Sequence, residues 1–220
     1  MNPLTESQDK SWSANQTIYD QILSDIAHGI WVSGDRLVTT SLAKRYDTSV
    51  NPIREALKQL EGEGFVTFQK NSGARVAQFE YSTMRDVFEI LQLLEPYFLN
   101  WFTDSYTAKN IACLEAIMEQ MKAISHENPA EFRELDTKFH WEMYKGHYNE
   151  SAVQLWKSKK IVLQAMHCNI PIHHRRYEQA LNEHQQLLDL LKSNESERAK
   201  ELLVQHILNG GDYWSKNLAR

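Results

Sequence analysis

Four polar side chains in the C-terminal part of the chain stand where a helix would otherwise carry hydrophobes. Asp136 and His140 are four residues apart between Phe132, Leu135, Phe139 and Met143, so both project from the edge of one apolar stripe. His184 is in register with Leu181, Leu187 and Leu191, and His206 lies beside Leu202, Leu203 and Ile207, which turns both imidazoles toward the same core. A buried carboxylate is costly unless paired or coordinated, and three imidazoles with one carboxylate suit a divalent transition metal, zinc or nickel. Such a set can leave a coordination position open to water, so a metal-dependent hydrolase is one chemistry to weigh. That chemistry needs a general base within reach of the water, and none is evident. A lone histidine on an apolar stripe is ordinarily a hydrogen-bonded core residue. His126, His147, His167, His173 and His174 lack the joint register and read as surface or loop residues, at most lining a pocket. Met118, Met121, Trp101 and Trp141 read as core packing.

A second chemistry lies in the N-terminal part. In Asn51-Pro52-Ile53-Arg54-Glu55-Ala56-Leu57-Lys58-Gln59-Leu60, the residues Ile53, Ala56, Leu57 and Leu60 form an inward face. Arg54 and Lys58 fall four apart on the opposite face, where they can reach phosphates or base edges if the helix enters a major groove. Charge agrees with this placement. The whole chain carries -5, which argues against a protein that coats nucleic acid non-specifically. Between Arg36 and Arg75, however, seven basic residues face four acidic ones, a net +3. From Glu80 onward sixteen basic face twenty acidic, a net -4 that phosphate would repel. Nucleic-acid contact therefore belongs to the N-terminal third. The alternative for the basic pair is a solvated helix face, with the chain acting as a helical interaction protein.

The elements that must hold these residues follow from periodicity and turn chemistry. Ile18, Ile22, Leu23 and Ile26 give a first helix closed by Gly29. Ser33-Gly34-Asp35 is a turn, and Thr39 or Thr40 caps a short helix with Leu42, Ala43 and Tyr46 inward. Ser49 or Asn51 caps the third helix, and Pro52 suits its first turn. Phe65 to Phe68 and Arg75 to Phe79 alternate like strands around a hairpin tip with Lys70 and Gly73. Three helices and a hairpin make a winged helix over 16–79, after a flexible arm at 1–15. The remainder, 80–220, reads as an all-α bundle with helices over roughly 82–103, 107–125, 129–146, 150–169, 173–192 and 195–216, with Asn194 and Glu197 as a capping box. The fold class is thus mainly α. Cys113 and Cys168 have no paired spacing and read as buried small hydrophobes, without a disulfide or cysteine zinc site. No stretch is apolar enough to span a bilayer and the start lacks signal-peptide order, which places the chain in the cytoplasm with no membrane role.

The run from Gly34-Asp35-Arg36-Leu37 through Pro52-Ile53-Arg54-Glu55-Ala56-Leu57 and Leu60-Glu61-x-x-Gly64-Phe65-Val66, with Leu42-Ala43, Ser49 and the Gly73 wing, resembles the GntR family of transcription regulators. The resemblance assigns DNA contacts to Arg36, Ser49, Asn51, Arg54 and Gly73; Lys44, Arg45 and Lys58, read from their charge alone, are phosphate contacts or a solvated face. Val50-Asn51 stands where the family usually has Arg-Thr, so the operator is expected to differ from the usual one. Asp136-x-x-x-His140, Glu183-His184 and Gln205-His206 resemble the FCD effector domain of the FadR subfamily, in which such residues hold a metal and a small acid binds beside it. Gln92 stands where these domains often have an Arg, three residues before Glu95, and offers an amide to an effector. The resemblance implies a homodimer on double-stranded, near-palindromic operator DNA, a repressor whose affinity a metabolite, an organic acid, adjusts.

Overall fold

A computed structural model describes residues 17–69, 73–78, 81–125, 127–167 and 170–218. The expected N-terminal arm, Lys70 of the hairpin tip, His126 and Cys168 lie outside them. The chain divides into two compact units, 1–78 and 79–220.

In the first unit, α1 (Ile18–Ala27) buries Ile22, Leu23 and Ile26. It is opened by a capping box in which Thr17 Oγ1 accepts the Asp20 N–H at 3.1 Å while the Asp20 carboxylate accepts the Thr17 N–H at 2.9 Å. Then come β1 (Arg36–Leu37), α2 (Thr39–Arg45), α3 (Val50–Gly62), β2 (Val66–Gln69) and β3 (Gly73–Val76). The sheet is antiparallel in the order β1-β3-β2, with Arg36 opposite Arg75 and Gln69 opposite Gly73. The wing therefore has a third strand beyond the expected hairpin, and its last strand begins at Gly73 rather than Arg75. One cap also differs from expectation: Val38, not a threonine, precedes α2 and gives no side-chain bond. Ser49, one of the two expected candidates, is the N-cap of α3, although its side chain makes no capping bond. Leu37, Leu42, Ile53, Leu57, Leu60 and Phe65 are fully enclosed.

α3 ends in a Schellman motif: Phe65 N–H donates to Leu60 O at 2.9 Å and Gly64 N–H to Glu61 O at 3.0 Å, with Gly64 at φ +83°. No atom lies within 4 Å of where a Gly64 Cβ would sit, so an added methyl meets backbone strain alone. Gly64→Ala should cost about 1–2 kcal/mol in chemical denaturation. An unchanged denaturation midpoint would contradict the left-handed assignment.

The second unit is helical: α4 (Tyr81–Ser105), α5 (Ala108–Ala123), α6 (Pro129–Tyr144), α7 (Glu150–His167), α8 (His174–Lys192) and α9 (Ser196–Leu218). α4 packs on α6, α7 and α9, α5 on α6 and α8, and α8 on α9. Phe98, Phe139, Met143, Tyr144, Trp156, Leu187 and Leu203 fill the space between them. Asn194 does not open α9. It takes φ +56° just after α8, and Glu195 N–H donates to Leu190 O at 2.9 Å, so it closes the preceding helix. Cys113 is half-buried rather than buried. Among the described residues, no helix is long and apolar enough to cross a membrane.

Candidate metal centre and nucleic-acid interface

The one-turn spacing in α6 puts Asp136 and His140 on its inward face, α8 supplies His184 and α9 supplies His206. One donor atom from each lies within 4.8 Å of every other. The three imidazoles are buried, and the Asp136 carboxylate is 22 % exposed.

What surrounds these rings fixes their orientation. His184 Nδ1 is 2.7 Å from Ala180 O, His206 Nδ1 is 2.7 Å from Glu183 Oε2, and His140 Nδ1 is 3.1 Å from Glu95 Oε2. A carbonyl or carboxylate oxygen only accepts, so each Nδ1 carries the proton and each Nε2 presents a lone pair. His184 Nε2 is buried without a hydrogen bond and sits 3.3 Å from Asp136 Oδ1. A lone pair facing a carboxylate oxygen is repulsive unless a cation stands between them, so the donor set fits a divalent transition metal.

The supporting carboxylates are themselves secured. Glu95 accepts Trp156 Nε1–H at 2.8 Å and Tyr144 O–H at 3.1 Å. Burial opposes its ionisation, yet the adjacent His140, the charge of Lys160 and the Trp156 bond bring its pKa down to about 2. Glu183 is likewise held at about 2 against burial by His206, Arg176 and Asn209. Asp136 stays well below its usual range, burial being overcome chiefly by Lys160 at 3.0 Å. Burial, then His184, pushes the His206 imidazole down to about 4, leaving it neutral as a ligand must be. Sequence reasoning used Glu95 and Glu183 only as landmarks and missed Lys160.

In the first unit α3 presents Asn51, Arg54 and Lys58 to solvent, opposite Ile53, Ala56, Leu57 and Leu60. Arg36, Lys44, Ser49 and Gly73 are exposed as well. Arg45 differs from them. Its Nε is 2.8 Å from Asp25 Oδ2, which also accepts the Tyr46 O–H at 2.8 Å, and its guanidinium lies over the Trp31 and Tyr46 rings.

Residues 14–76 match the family model of the bacterial regulatory proteins of the gntR family, and residues 86–209 match that of the FCD domain. The chain belongs to the GntR family. Its FCD domain sets it in the FadR-like branch, and it is a DNA-binding transcription regulator rather than an enzyme. Among similar proteins, an HTH-type regulator of Bacillus subtilis, YdhC, is 25 % identical over 86 % of this chain and 85 % of its own length. The gluconate operon repressor of Bacillus licheniformis is 22 % identical over 82 % and 76 %. Two solved structures share the fold: a GntR-type regulator from Rhodococcus sp. RHA1, with TM-score 0.76, 18 % identity and 89 % and 94 % coverage, and E. coli McbR/YncC, with 0.74, 18 %, 92 % and 97 %.

Within the FCD domain of this GntR protein, a cavity opens onto the ligand cluster, bounded by Asp136, His140 and His206. From α4 it is lined by Phe88, Leu91 and Glu95, but not by Gln92. Gln92 is half-buried one residue round the helix from Leu91, about 100° off that face. The cavity's cations are Arg133, Lys160 and Arg176. His147 and His167, read as surface or loop residues at most lining a pocket, are both buried: His147 is enclosed among Tyr97, Phe98, Trp101 and Tyr148, and His167, against Trp214, takes the pocket-lining place on the cavity wall. The exposed His173 and His174 keep their expected surface place.

Proposed function

We propose that this regulator is a homodimeric, cytoplasmic repressor whose winged helices bind a near-palindromic operator and whose FCD domain holds a divalent transition metal, zinc or nickel, beside which a small organic acid binds and shifts operator affinity. The observation that carries the reading is the set of three Nδ1-anchored imidazoles converging on Asp136, with His184 Nε2 buried and otherwise unbonded. The bound cation would supply positive charge for an anionic ligand, and Asp136, His140, His184 and His206 would hold it. Arg36, Lys44, Ser49, Asn51, Arg54, Lys58 and Gly73 form the reading's DNA face. Arg45, fastened to Asp25, would serve phosphate only at the cost of that pair. The gluconate operon repressor named above, a galactonate operon repressor of Escherichia coli and a relative named as a probable D-xylose utilization operon repressor of Paenarthrobacter nicotinovorans support repression of a catabolic operon.

The test is duplex binding to DNA from upstream of the gene itself and of its neighbours, at several salt concentrations, with the zinc-loaded chain and a panel of organic acids. The expected result is salt-dependent, sequence-selective binding that at least one acid changes by fivefold or more. Equal affinity for operator and scrambled duplex would overturn the DNA reading. Operator affinity untouched by an acid shown to bind the chain would overturn the sensor reading, because coupling is reciprocal.

A further inference from the structure

The far end of the FCD cavity carries chemistry that holding a metal does not use. Along α6 the lining residues Arg133, Asp136, Thr137 and His140 form one stripe, and along α7 Lys160, Leu163, Gln164 and His167 form another. Lys160 reaches Asp136 at 3.0 Å, so these two residues mark the ligand-cluster end. Arg133 lies one turn from Asp136, ~4.5 Å along the axis, and His167 two turns beyond Lys160, ~10.5 Å. At that far end Trp214 stacks on His167 with ring centroids 3.8 Å apart, and the Arg133 guanidinium sits 5.2 Å from the Trp214 ring centre while bonding Ile170 O. His167 is 4 % exposed and its Nε2 is buried with no hydrogen-bond partner among the described residues. A buried polar atom on a cavity wall, left unbonded by the protein, is satisfied by what enters the cavity. Between the two polar ends the wall is mostly hydrocarbon, with Leu91, Phe132, Leu163, Ile172 and Ile207, and its polar residues Thr137 and Gln164 are bonded to each other at 3.4 Å. Of the three cations in the lining, Lys160 holds Asp136 and Arg176 holds Glu183, so Arg133 is the cation the far end presents.

We propose that the effector is a dianionic acid with an aliphatic midsection, one carboxylate directed to the metal end and the other accepting from the His167 Nε2–H and the Arg133 guanidinium at the far end. This rests on the metal-centred sensor reading above and narrows its ligand. At roughly 1.2 Å of reach per extended single bond, the separation suits a backbone of about four to six carbons. A polyhydroxylated monoacid fits worse, because along that wall only Thr137 and Gln164, already bonded to each other, would offer its several hydroxyls partners.

The experiment is calorimetric titration of the zinc-loaded full chain with succinate, glutarate and adipate, against butyrate, valerate, hexanoate and gluconate. The best diacid should bind at least tenfold more tightly than the monoacid of equal length and than gluconate. His167→Leu and Arg133→Gln should bring the diacid-to-monoacid ratio to within about twofold of unity, with zinc content and monoacid affinity retained. Retained zinc shows that each variant is folded, and the wild-type comparison stands without either variant. Zinc and monoacids binding with no preference for diacids would overturn this proposal and leave the sensor reading intact. A chain that holds no zinc would overturn both.

Discussion

His184→Ala is expected to reduce zinc or nickel content from about one ion per chain to near zero in protein purified without an affinity tag. The imidazole cannot be replaced from nearby, because its Nδ1 is committed to Ala180 O and its Nε2 is the buried atom facing Asp136. With three donors left, the Asp136 carboxylate falls back on Lys160. Ligand binding to the native state alone stabilises by RT ln(1 + [L]/Kd), about 4 kcal/mol at free metal a thousandfold above Kd. For a domain of this size that is roughly 10 °C of thermal midpoint, so wild-type protein should lose about as much to a chelator and regain it on adding zinc, while the variant should not respond. His147→Ala is the control. It also removes a buried imidazole with an unbonded Nε2, but one enclosed by aromatic rings rather than carboxylates, and its metal content should stay at the wild-type level. Equal metal in wild type and His184→Ala, or no metal in wild type, would sink the assignment.

The six helices of the second unit were legible because each carries an apolar stripe and is bounded by turn or cap residues, so no bound missed by more than about two residues. The four donors were legible for the same reason: a polar residue in register with leucines advertises its direction. What escaped is instructive. β1 is two residues long, too short for alternation to register, and exists because Leu37 and Arg36 pair with Ala74 and Arg75 far along the chain. Asn194 serves equally as an N-cap or as a left-handed closing residue, and only the bond from Glu195 N–H to Leu190 O decides between them. His167 looked peripheral because it ends α7. Its burial comes from Trp214 of α9, a contact between residues 47 positions apart that no local pattern encodes. Gln92 was carried over by resemblance alone, and the helix phase puts Leu91 and Glu95 on the cavity instead.

The recognition helix yields the second large expected effect. Arg54 and Lys58 are both exposed on the face of α3 opposite its buried residues, while Val50 and Asn51 form its first turn, Val50 half-buried and Asn51 exposed. If the helix lies in a major groove, Arg54 is placed for base edges and Lys58 for the backbone. Arg54→Ala should therefore weaken operator binding by about 1–3 kcal/mol, ten- to a hundredfold, and relax selectivity at one position, whereas Lys58→Ala should weaken all duplexes alike and reduce the salt slope by about one. Asn51→Ala should relax a preference for adenine next to that position, since an asparagine amide pairs with the adenine edge. None of the three exposed substitutions touches the core of Ile53, Leu57 and Leu60, so denaturation midpoints should move little, which separates lost contact from lost fold. Unchanged affinity and salt slope in Arg54→Ala would show that the basic face of α3 is only solvated, and would leave the match of its spacing to a reading head without physical content.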